Sequence, residues 1–323
     1  MNNLVSIIVT SYNHAEYLDQ RMHSLLVQTY GNVEIIIIDD HSTDGSAEVL
    51  AKYQEYSQVH LTILTENVGY AKACNLGVSL SSGDYIMFAE CDDFNEPTHV
   101  EALMEKMLQN PSAGVCYCRS NMVDSDGLIY GSDFQYREKL FQKFCSKDVL
   151  IPQKMIQNFF LINCVVPNMS AAIIKKVYFS MVGGFDPKYK ACADWDVWRR
   201  IAEHCDFYYI SEALNNFRNH PTTVRSTFGI EKQVLEIFDI LYKSISELNM
   251  TIKENIRFRF AIGMVWATYV SPSPKNWAKS FFTIWKMSLK YDKFVLFYLL
   301  FALPKRAYLF FCKVVFQKPI FGG

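Results

Sequence analysis

The chain has 323 residues, of which 50% are hydrophobic and 20% charged, and its formal net charge is −1. This length allows about two domains with a sizeable core, and the composition excludes a disordered or low-complexity protein. A net charge near zero also argues against a protein whose whole surface binds nucleic acid.

Strand and helix patterns alternate over the first hundred residues. Apolar, β-branched runs predict buried strands at residues 4–10, 33–38, 61–64 and 85–89, and amphipathic stretches predict helices at about 14–28, 44–56 and 69–81. This order predicts a parallel sheet with right-handed crossover connections. Because ligands of such sheets bind at the carboxyl ends of the strands, the polar residues that follow the strands are candidate site residues.

The rest of the chain divides into two parts. From about residue 114 to 225 the pattern is less regular, with short strands predicted near 115–118 and 171–174 and a helix from about 193 to 204. From residue 230 the pattern is helical. We therefore predict an α/β domain at residues 1–228 and a helical C-terminal region at residues 229–323.

The end of the C-terminal region is basic and aromatic. Residues 271–323 contain nine Lys or Arg, one acidic residue and 14 of the 48 aromatic residues. The ten apolar residues 294–303 are about half of what a membrane-spanning helix needs, and Lys305 and Arg306 follow them. The pattern favours helices that lie on an anionic membrane surface. Packing on the catalytic domain, or a dimer contact, is the alternative.

The cysteines and the N-terminus indicate a compartment. The nine cysteines include no C-x-x-C pair, which argues against a zinc ribbon or a disulfide framework, and scattered free thiols fit a reducing cytoplasm. The short apolar run near the N-terminus has no basic region before it and does not predict a signal peptide.

Two groups of acidic residues follow predicted strands. Asp39 and Asp40 close the second strand, where a carboxylate can accept a hydrogen bond from a base or a ribose; the alternative is that either residue caps the next helix. Glu90, Asp92 and Asp93 follow the fourth strand, and such close carboxylates repel one another unless a cation or hydrogen-bond donors neutralise them. Mg²⁺ and Mn²⁺ prefer oxygen ligands of this kind, and a solvated acidic loop is the alternative.

Two later segments also hold candidate residues. Asp194 and Asp196 flank Trp195 at a predicted helix start, where an acidic residue is either a general base or a helix cap. His220 is either a metal ligand or a structural histidine. The sequence has no Gly-rich phosphate loop and no G-x-S-x-G or H-E-x-x-H motif, which argues against dehydrogenase, P-loop, hydrolase and zincin functions.

Six segments, taken together and in this order, resemble those of family 2 glycosyltransferases of the GT-A fold, of the type that assembles bacterial surface polysaccharides. They are VSIIVTSYNHAEYL (5–18), VEIIIIDDHSTDGS (33–46), NVGYAKACNLGV (67–78), SGDYIMFAECDD (82–93), GGFDP (183–187) and ADWDVWRRIA (193–202). The resemblance implies an α/β fold: a Rossmann-like, mostly parallel sheet flanked by helices, here followed by the helical extension.

The resemblance also implies an activity. A sugar would move, with inversion, from a nucleotide-diphospho sugar to a hydroxyl of a saccharide or lipid-linked saccharide, with Mn²⁺ or Mg²⁺ as cofactor, at the inner face of the cell membrane. By position, Asp194 would be the catalytic base, and Asp93 would bind the metal with His220 as a further ligand. Trp195 would border the acceptor, or pack at the helix start. The residues implied for the nucleotide sugar are Thr10, Tyr12, Asp40, Lys72 and Asp92.

The sequence departs from the family pattern at two positions. Glu90 stands where the acidic motif usually begins with Asp, and Ala193 precedes Asp194 where Glu is common. Two other functions stay open. A nucleotidyltransferase would need a Gly-rich basic loop after the first strand, which is absent. A non-catalytic member that binds nucleotide sugar or scaffolds a membrane complex would not need Asp92, Asp93 and Asp194, which are all present.

Overall fold

The computed structural model describes residues 3–137, 139–161, 163–221 and 228–247, and scattered positions between 251 and 289. The chain divides into two compact units, Met1–Thr223 and Val224–Gly323. The basic, aromatic segment 271–323 lies outside the described residues, apart from positions 282, 286 and 289. In the part of the chain that is described, no helix is both long and apolar enough to cross a membrane.

The elements of the first unit alternate between strands and helices as far as β4, which ends at residue 90. The strands are β1 Val5–Ser11, β2 Val33–Asp39, β3 Val59–Ile63, β4 Tyr85–Glu90, β5 Phe94–Asn95, β6 Ala113–Val123, β7 Ile129–Ser132, β8 Val149–Ile151, β9 Ala172–Lys175 and β10 Asp206–Arg218. The helices are α1 Ala15–Leu26, α2 Ser46–Ala51, α3 Tyr70–Leu80, α4 His99–Gln109, α5 Lys139–Phe144, α6 Gln153–Phe160, α7 Lys176–Met181 and α8 Ala193–Ile201. The second unit contains α9 Ile230–Glu247.

The described strands form one sheet in the order β3-β2-β1-β4-β9-β6-β10-β5, with β7 beside β6 and β8 beside β10. Strands β3, β2, β1 and β4 are mutually parallel, which confirms the predicted α/β class. Ser11 of β1 pairs with Asp39 of β2, and Thr10 pairs with Glu90 of β4. The carboxyl ends of three strands therefore meet at one edge of the sheet.

The other half of the sheet is mixed. Strand β9 runs antiparallel between β4 and β6, and the 13-residue strand β10 runs parallel to β6 with register shifts near residues 206, 210 and 213. The short strand β5, which follows the acidic loop, pairs antiparallel with Asn215 and Asn216 of β10. This pairing brings the end of β10 next to residues 90–93.

The sheet core is apolar on both faces because the parallel strands are covered on both sides. On one face, Val5, Ile7 and Val9 join the buried side chains of α1 and α4. On the other face, α3 packs so closely on β1 that a Cβ atom at Gly77 would collide with the side chain of Ile8. The eight cysteines among the described residues are free thiols.

Candidate active site

The loops after β1 and β2 are joined by hydrogen bonds. Asn13 has a left-handed backbone conformation, with φ of 56°. Its backbone N–H donates to Ser42 Oγ at 3.0 Å, and its side-chain oxygen accepts from the N–H of Thr43 at 2.8 Å. A non-glycine residue in this conformation is costly and needs such support. The two loops thus hold one another at the edge of the sheet where the strands end.

Asp39 and Asp40 both bind the backbone of loops. Neither accepts a hydrogen bond from the first turn of α2, the helix that follows them, so neither is a cap of that helix. Asp39 accepts from the N–H of Ser42 at 2.9 Å and from its hydroxyl at 2.7 Å. Asp40 accepts from the N–H groups of Val68 and Gly69, at 2.7 and 2.8 Å. Each carboxylate is almost fully buried. Asp40 therefore fixes the loop that leads into α3.

The predicted nucleotide-sugar residues lie around this edge. Thr10 is half-buried at the end of β1, and its hydroxyl is 3.9 Å from the sulfur of Cys74. The ring of Tyr12 is 46% exposed. Lys72 is exposed in the first turn of α3, beyond the loop that Asp40 holds. The parallel topology places all of these residues at the end of the sheet where ligands bind.

Asp92 and Asp93 differ sharply in surroundings. Asp93 is 1% exposed, and its Oδ1 accepts from the backbone N–H of Arg218 at 3.0 Å. Burial and the neighbouring charge of Asp92 raise the pKa of Asp93 to about 7. The side chain of Asp92 is 21% exposed, and its Oδ2 lies 2.9 Å from Nε2 of His220. Burial alone would raise the pKa of Asp92, but the histidine contacts outweigh it and lower the pKa below its usual value.

Two buried arginines hold the backbone of this acidic loop. Arg21 of α1 donates to the carbonyl of Glu90 at 2.8 Å, and Arg218 at the end of β10 donates to the carbonyl of Asp92 at 2.7 Å. Arg218 also donates to the carbonyl of Ser125 at 2.6 Å. Two cations beside a buried cluster of carboxylates offset part of its charge repulsion.

A second cluster joins this loop to the one after β1. One ligand atom from each of His14, Asp92 and His220 lies within 4.8 Å of the others. The Nε2 atom of His14 is buried and has no hydrogen-bond partner. Two imidazoles and a carboxylate fit a divalent first-row metal ion, and the buried, unpartnered nitrogen is what a ligand position requires. The resemblance implied that Asp93 binds the metal together with His220. In the structure, Asp92 is the residue that lies in a cluster with His220, and Asp93 accepts from the backbone N–H of Arg218.

The start of α8 also separates its two acidic residues. Asp196 is buried and pairs with Arg200 at 2.6 Å. Asp194 is half-buried and accepts from the N–H of Trp195 at 2.8 Å. Asp194 also lies close enough to Glu90 to contribute, after burial and the charges of the acidic loop, to a pKa of Glu90 well above its usual value. Of the two acidic residues of this helix start, Asp194 is the one whose charge acts on Glu90 of the acidic loop.

The segment GGFDP places the start of α8. Gly183 and Gly184 have φ values of 76° and 70°, which side chains rarely adopt. Asn75 of α3 donates to the carbonyl of Phe185 and accepts from its N–H, both at 2.9 Å. Arg200 of α8 donates to the carbonyl of Gly184 at 2.7 Å. This turn therefore connects α3, on the nucleotide side, to the helix that carries Asp194.

Trp195 is a packing residue in this structure. It is 7% exposed, and its indole N–H donates to the carbonyl of Phe160 at 3.1 Å. This geometry favours the helix-start alternative over a sugar platform.

The model of the family described as "Glycosyl transferase family 2" matches residues 6–166. An uncharacterized glycosyltransferase of Nostoc sp. is 32% identical over 275 residues, which cover 79% of this chain and 81% of that protein. The chain belongs to glycosyl transferase family 2. The family match ends before Asp194 and His220, so the assignment of these two residues depends on the quoted motifs and on the geometry.

Other family 2 relatives share only part of their length with this chain. A putative teichuronic acid biosynthesis glycosyltransferase of Bacillus subtilis, TuaG, is 36% identical over 149 residues, which are 46% of this chain and 59% of TuaG. The chain spans 26% and 50% of the length of two glycosyltransferases of Streptococcus pneumoniae, GlyA and GlyG.

Solved structures share the fold. S. aureus TarS in complex with UDP-GlcNAc superposes with a TM-score of 0.65 at 15% identity and covers 85% of this chain and 79% of its own. The mannosyltransferase PcManGT of Pyrobaculum calidifontis, in complex with GDP-Man and Mn²⁺, gives a TM-score of 0.55 at 15% identity, with 94% and 86% covered. These likenesses confirm the GT-A fold.

Three residues of the site were not identified from the sequence. Arg21 carried a weak signal, since it lies on the same helix face as Leu18 and Leu25, where a charge is unexpected. Arg218 stands in a segment without a distinctive pattern, and His14 lies within the quoted segment 5–18 but is not one of the residues to which the resemblance gives a role. Only the folded chain brings them to residues 90–93.

Proposed function

We propose that this family 2 protein is an inverting glycosyltransferase that moves a sugar from a nucleotide-diphospho sugar to an acceptor hydroxyl. The observation that carries this proposal is the placement of Asp194 at the acidic loop that contains Asp92. The charge of Asp194 acts on Glu90 of that loop, so a proton acceptor and a candidate diphosphate site would lie close together. A single displacement with inversion needs both groups at once.

The donor would bind across the ends of β1, β2 and α3. The exposed ring of Tyr12 offers a stacking surface for the base, and Thr10 and Asp40 offer hydrogen bonds to the nucleoside. Lys72, exposed in the first turn of α3, would meet a phosphate. The complexes of TarS with UDP-GlcNAc and of PcManGT with GDP-Man support a nucleotide sugar as the ligand of this fold.

The cofactor would be a divalent cation, Mn²⁺ or Mg²⁺, held by Asp92 and His220. Such an ion supplies positive charge that stabilises the diphosphate as it leaves. The chain's own contribution is to hold Asp92 still, through the contact of its backbone carbonyl with Arg218 at 2.7 Å. Asp93 also helps to hold the loop in place, because its Oδ1 accepts a hydrogen bond from the backbone N–H of Arg218.

Asp194 would take the proton of the acceptor hydroxyl while that oxygen attacks the anomeric carbon on the face opposite the leaving diphosphate. Asp194 lies in the first turn of α8, where the helix dipole favours an anion. The ion pair between Asp196 and Arg200 holds the first turn of α8, which carries Asp194. Asp194 therefore acts from a rigid element.

The acceptor would be a saccharide or a lipid-linked saccharide of the cell surface, used at the inner, cytoplasmic face of the membrane. The similarity to TuaG, putatively of teichuronic acid biosynthesis, supports such a product. The basic segment 271–323 would hold the protein on anionic lipids. Full-length protein should float with anionic vesicles at low salt and be released at high salt, and failure to float at low salt would remove the membrane proposal.

The test of the enzymatic proposal is a screen of nucleotide sugars in the presence of Mn²⁺. The correct donor should raise the melting temperature, since a ligand at 100 times its Kd stabilises the folded state by about 2.7 kcal/mol. The same donor should be hydrolysed slowly and be transferred when an acceptor is supplied. Stabilisation with no hydrolysis or transfer in any acceptor mixture would instead favour a non-catalytic nucleotide-sugar-binding protein.

A further inference from the structure

His14 occupies an unusual position for a histidine. It stands at the N-cap of α1, yet its ring does not cap the helix. The capping contacts come from the β2–α2 loop instead, since Asp44 accepts from the N–H of Ala15 at 3.0 Å and Ser46 accepts from the N–H of His14 at 3.3 Å. The imidazole therefore does not make the hydrogen bond to the helix that an N-cap side chain usually makes.

The backbone fixes which ring nitrogen of His14 can bind an ion. Nδ1 lies 2.8 Å from the carbonyl oxygen of Tyr12. A carbonyl oxygen only accepts, so Nδ1 carries the proton and Nε2 presents a lone pair. That Nε2 is buried and has no hydrogen-bond partner. A buried acceptor without a partner is costly, and a metal ion would satisfy it.

The ring of His14 lies beside the proposed metal site. The ring centroids of His14 and His220 are 5.4 Å apart in an edge-on arrangement. The ligand atoms of His14, Asp92 and His220 lie within 4.8 Å of one another. Three ligands at such spacing can share one ion and leave its remaining positions to a diphosphate.

We propose that His14 is a third protein ligand of this site, which makes it a two-histidine, one-carboxylate site that binds a first-row transition-metal ion in preference to Mg²⁺, before any nucleotide is bound. The proposal rests on the metal site of the proposed function. The affinity of a site with nitrogen ligands for first-row transition-metal ions rises from Mn²⁺ toward Cu²⁺, whereas Mg²⁺ prefers oxygen ligands and keeps its water. Three protein ligands on braced loops also remove the need for a phosphate to complete the site.

The test is metal binding to the full-length protein without nucleotide. Titration with Mn²⁺, followed by the electron paramagnetic resonance signal of the free hydrated ion, gives the affinity, and competition with Mg²⁺ gives the selectivity. His14→Ala should weaken Mn²⁺ binding by at least about 10-fold and change the Mg²⁺ affinity far less. His60→Ala is the matched control, because His60 is exposed on β3, the outermost of the parallel strands.

Two further variants separate the possible failures. If His14→Ala keeps the parent Mn²⁺ affinity while Asp92→Asn loses it, His14 is not a ligand and the proposed metal site still stands. If Asp92→Asn also keeps the affinity, the metal site of the proposed function is itself wrong. Should His14→Ala fail to fold, His14→Gln serves in its place: it should lose the preference for Mn²⁺ over Mg²⁺, and an unchanged preference would overturn the proposal.

Discussion

Two acidic segments of this molecule, the loop at residues 90–93 and the start of α8, divide their carboxylates in the same way. In each, one carboxylate is about 1% exposed and bound by protein groups: Asp93 by the N–H of Arg218, and Asp196 by the guanidinium of Arg200. The other, Asp92 or Asp194, is only partly buried. Residue type therefore does not separate the acids proposed to be reactive from the buried ones, whereas their partners do.

The two buried acids, Asp93 and Asp196, hold the segments that carry the partly buried acids Asp92 and Asp194. Asp93 ties the loop to the end of β10, 125 residues away in the chain. Asp196 orients Arg200, which binds the GGFDP turn through Gly184. Breaking an anchor should thus affect the stability of the fold, and removing an exposed acid should affect the chemistry alone.

The largest effect is expected for Asp194→Asn. Turnover should fall by about 10²–10⁴-fold, because the proton of the acceptor loses its base, while donor binding and the melting temperature stay near those of the parent. Steady-state transfer and donor-induced thermal shifts measure the two effects. Near-normal turnover in Asp194→Asn would break the division between the two acids.

Asp92→Asn and Asp93→Asn form a matched pair of adjacent substitutions. Asp92→Asn should raise the Mn²⁺ concentration needed for half-maximal donor hydrolysis by at least about 10-fold. Asp93→Asn should leave it almost unchanged, because the asparagine oxygen still accepts from the N–H of Arg218, and burial with the charge of Asp92 already disfavours the ionised form of Asp93 by raising its pKa. The reverse ranking would return the ligand role to Asp93.

Asp196→Asn should destabilise the protein with less effect on chemistry. Removing one partner of a fully buried ion pair costs about 3–5 kcal/mol; because the Arg200 side chain is 21% exposed, we expect nearer to about 2 kcal/mol after allowance for solvent screening. Urea unfolding measures the change. The control is Glu105→Gln, whose surface contact with Lys106 should matter by less than about 1 kcal/mol. Equal stabilities of the two variants would remove the anchor role.

The sequence predicts the parallel half of the molecule well and the mixed half poorly, for a physical reason. Strands buried on both faces need continuous apolar runs, and β1, β2 and β4 have them. Strand β10 was missed because its end carries Asn215 and Asn216, which are buried by side-chain hydrogen bonds and not by apolar contacts. A search of the sequence for apolar runs therefore does not find this strand.

The same limit applies to the site. Motifs located Asp92, Asp93 and Asp194, because acids after strands and at helix starts follow local rules. The division between anchors and reactive groups depends on Arg218 and Arg200, and the contribution of His14 depends on residues 92 and 220. The contacts of Arg218 and His220 with residues 92 and 93 follow from the β5–β10 pairing, which the sequence alone did not reveal.

The smallest effect concerns pH and extends the anchor layer to His99, the first residue of α4. His99 is fully buried, and burial, followed by the charge of Arg21, lowers its pKa from 6.5 to about 3. Between these values the unfolded chain binds a proton that the folded chain does not. The free energy of unfolding should therefore be unaffected by His99 above pH 6.5 and fall as the pH decreases toward 3, by at most about 1.4 kcal/mol per pH unit. His99→Gln removes this proton, so its stability should decrease less steeply than that of the parent in urea unfolding between pH 6.5 and 4.5. His60→Gln, at an exposed position, should follow the parent. If the curves of the parent and of His99→Gln run parallel, His99 does not contribute to the loss of stability at acid pH. That loss would then have to come from the carboxylates of the acidic loop.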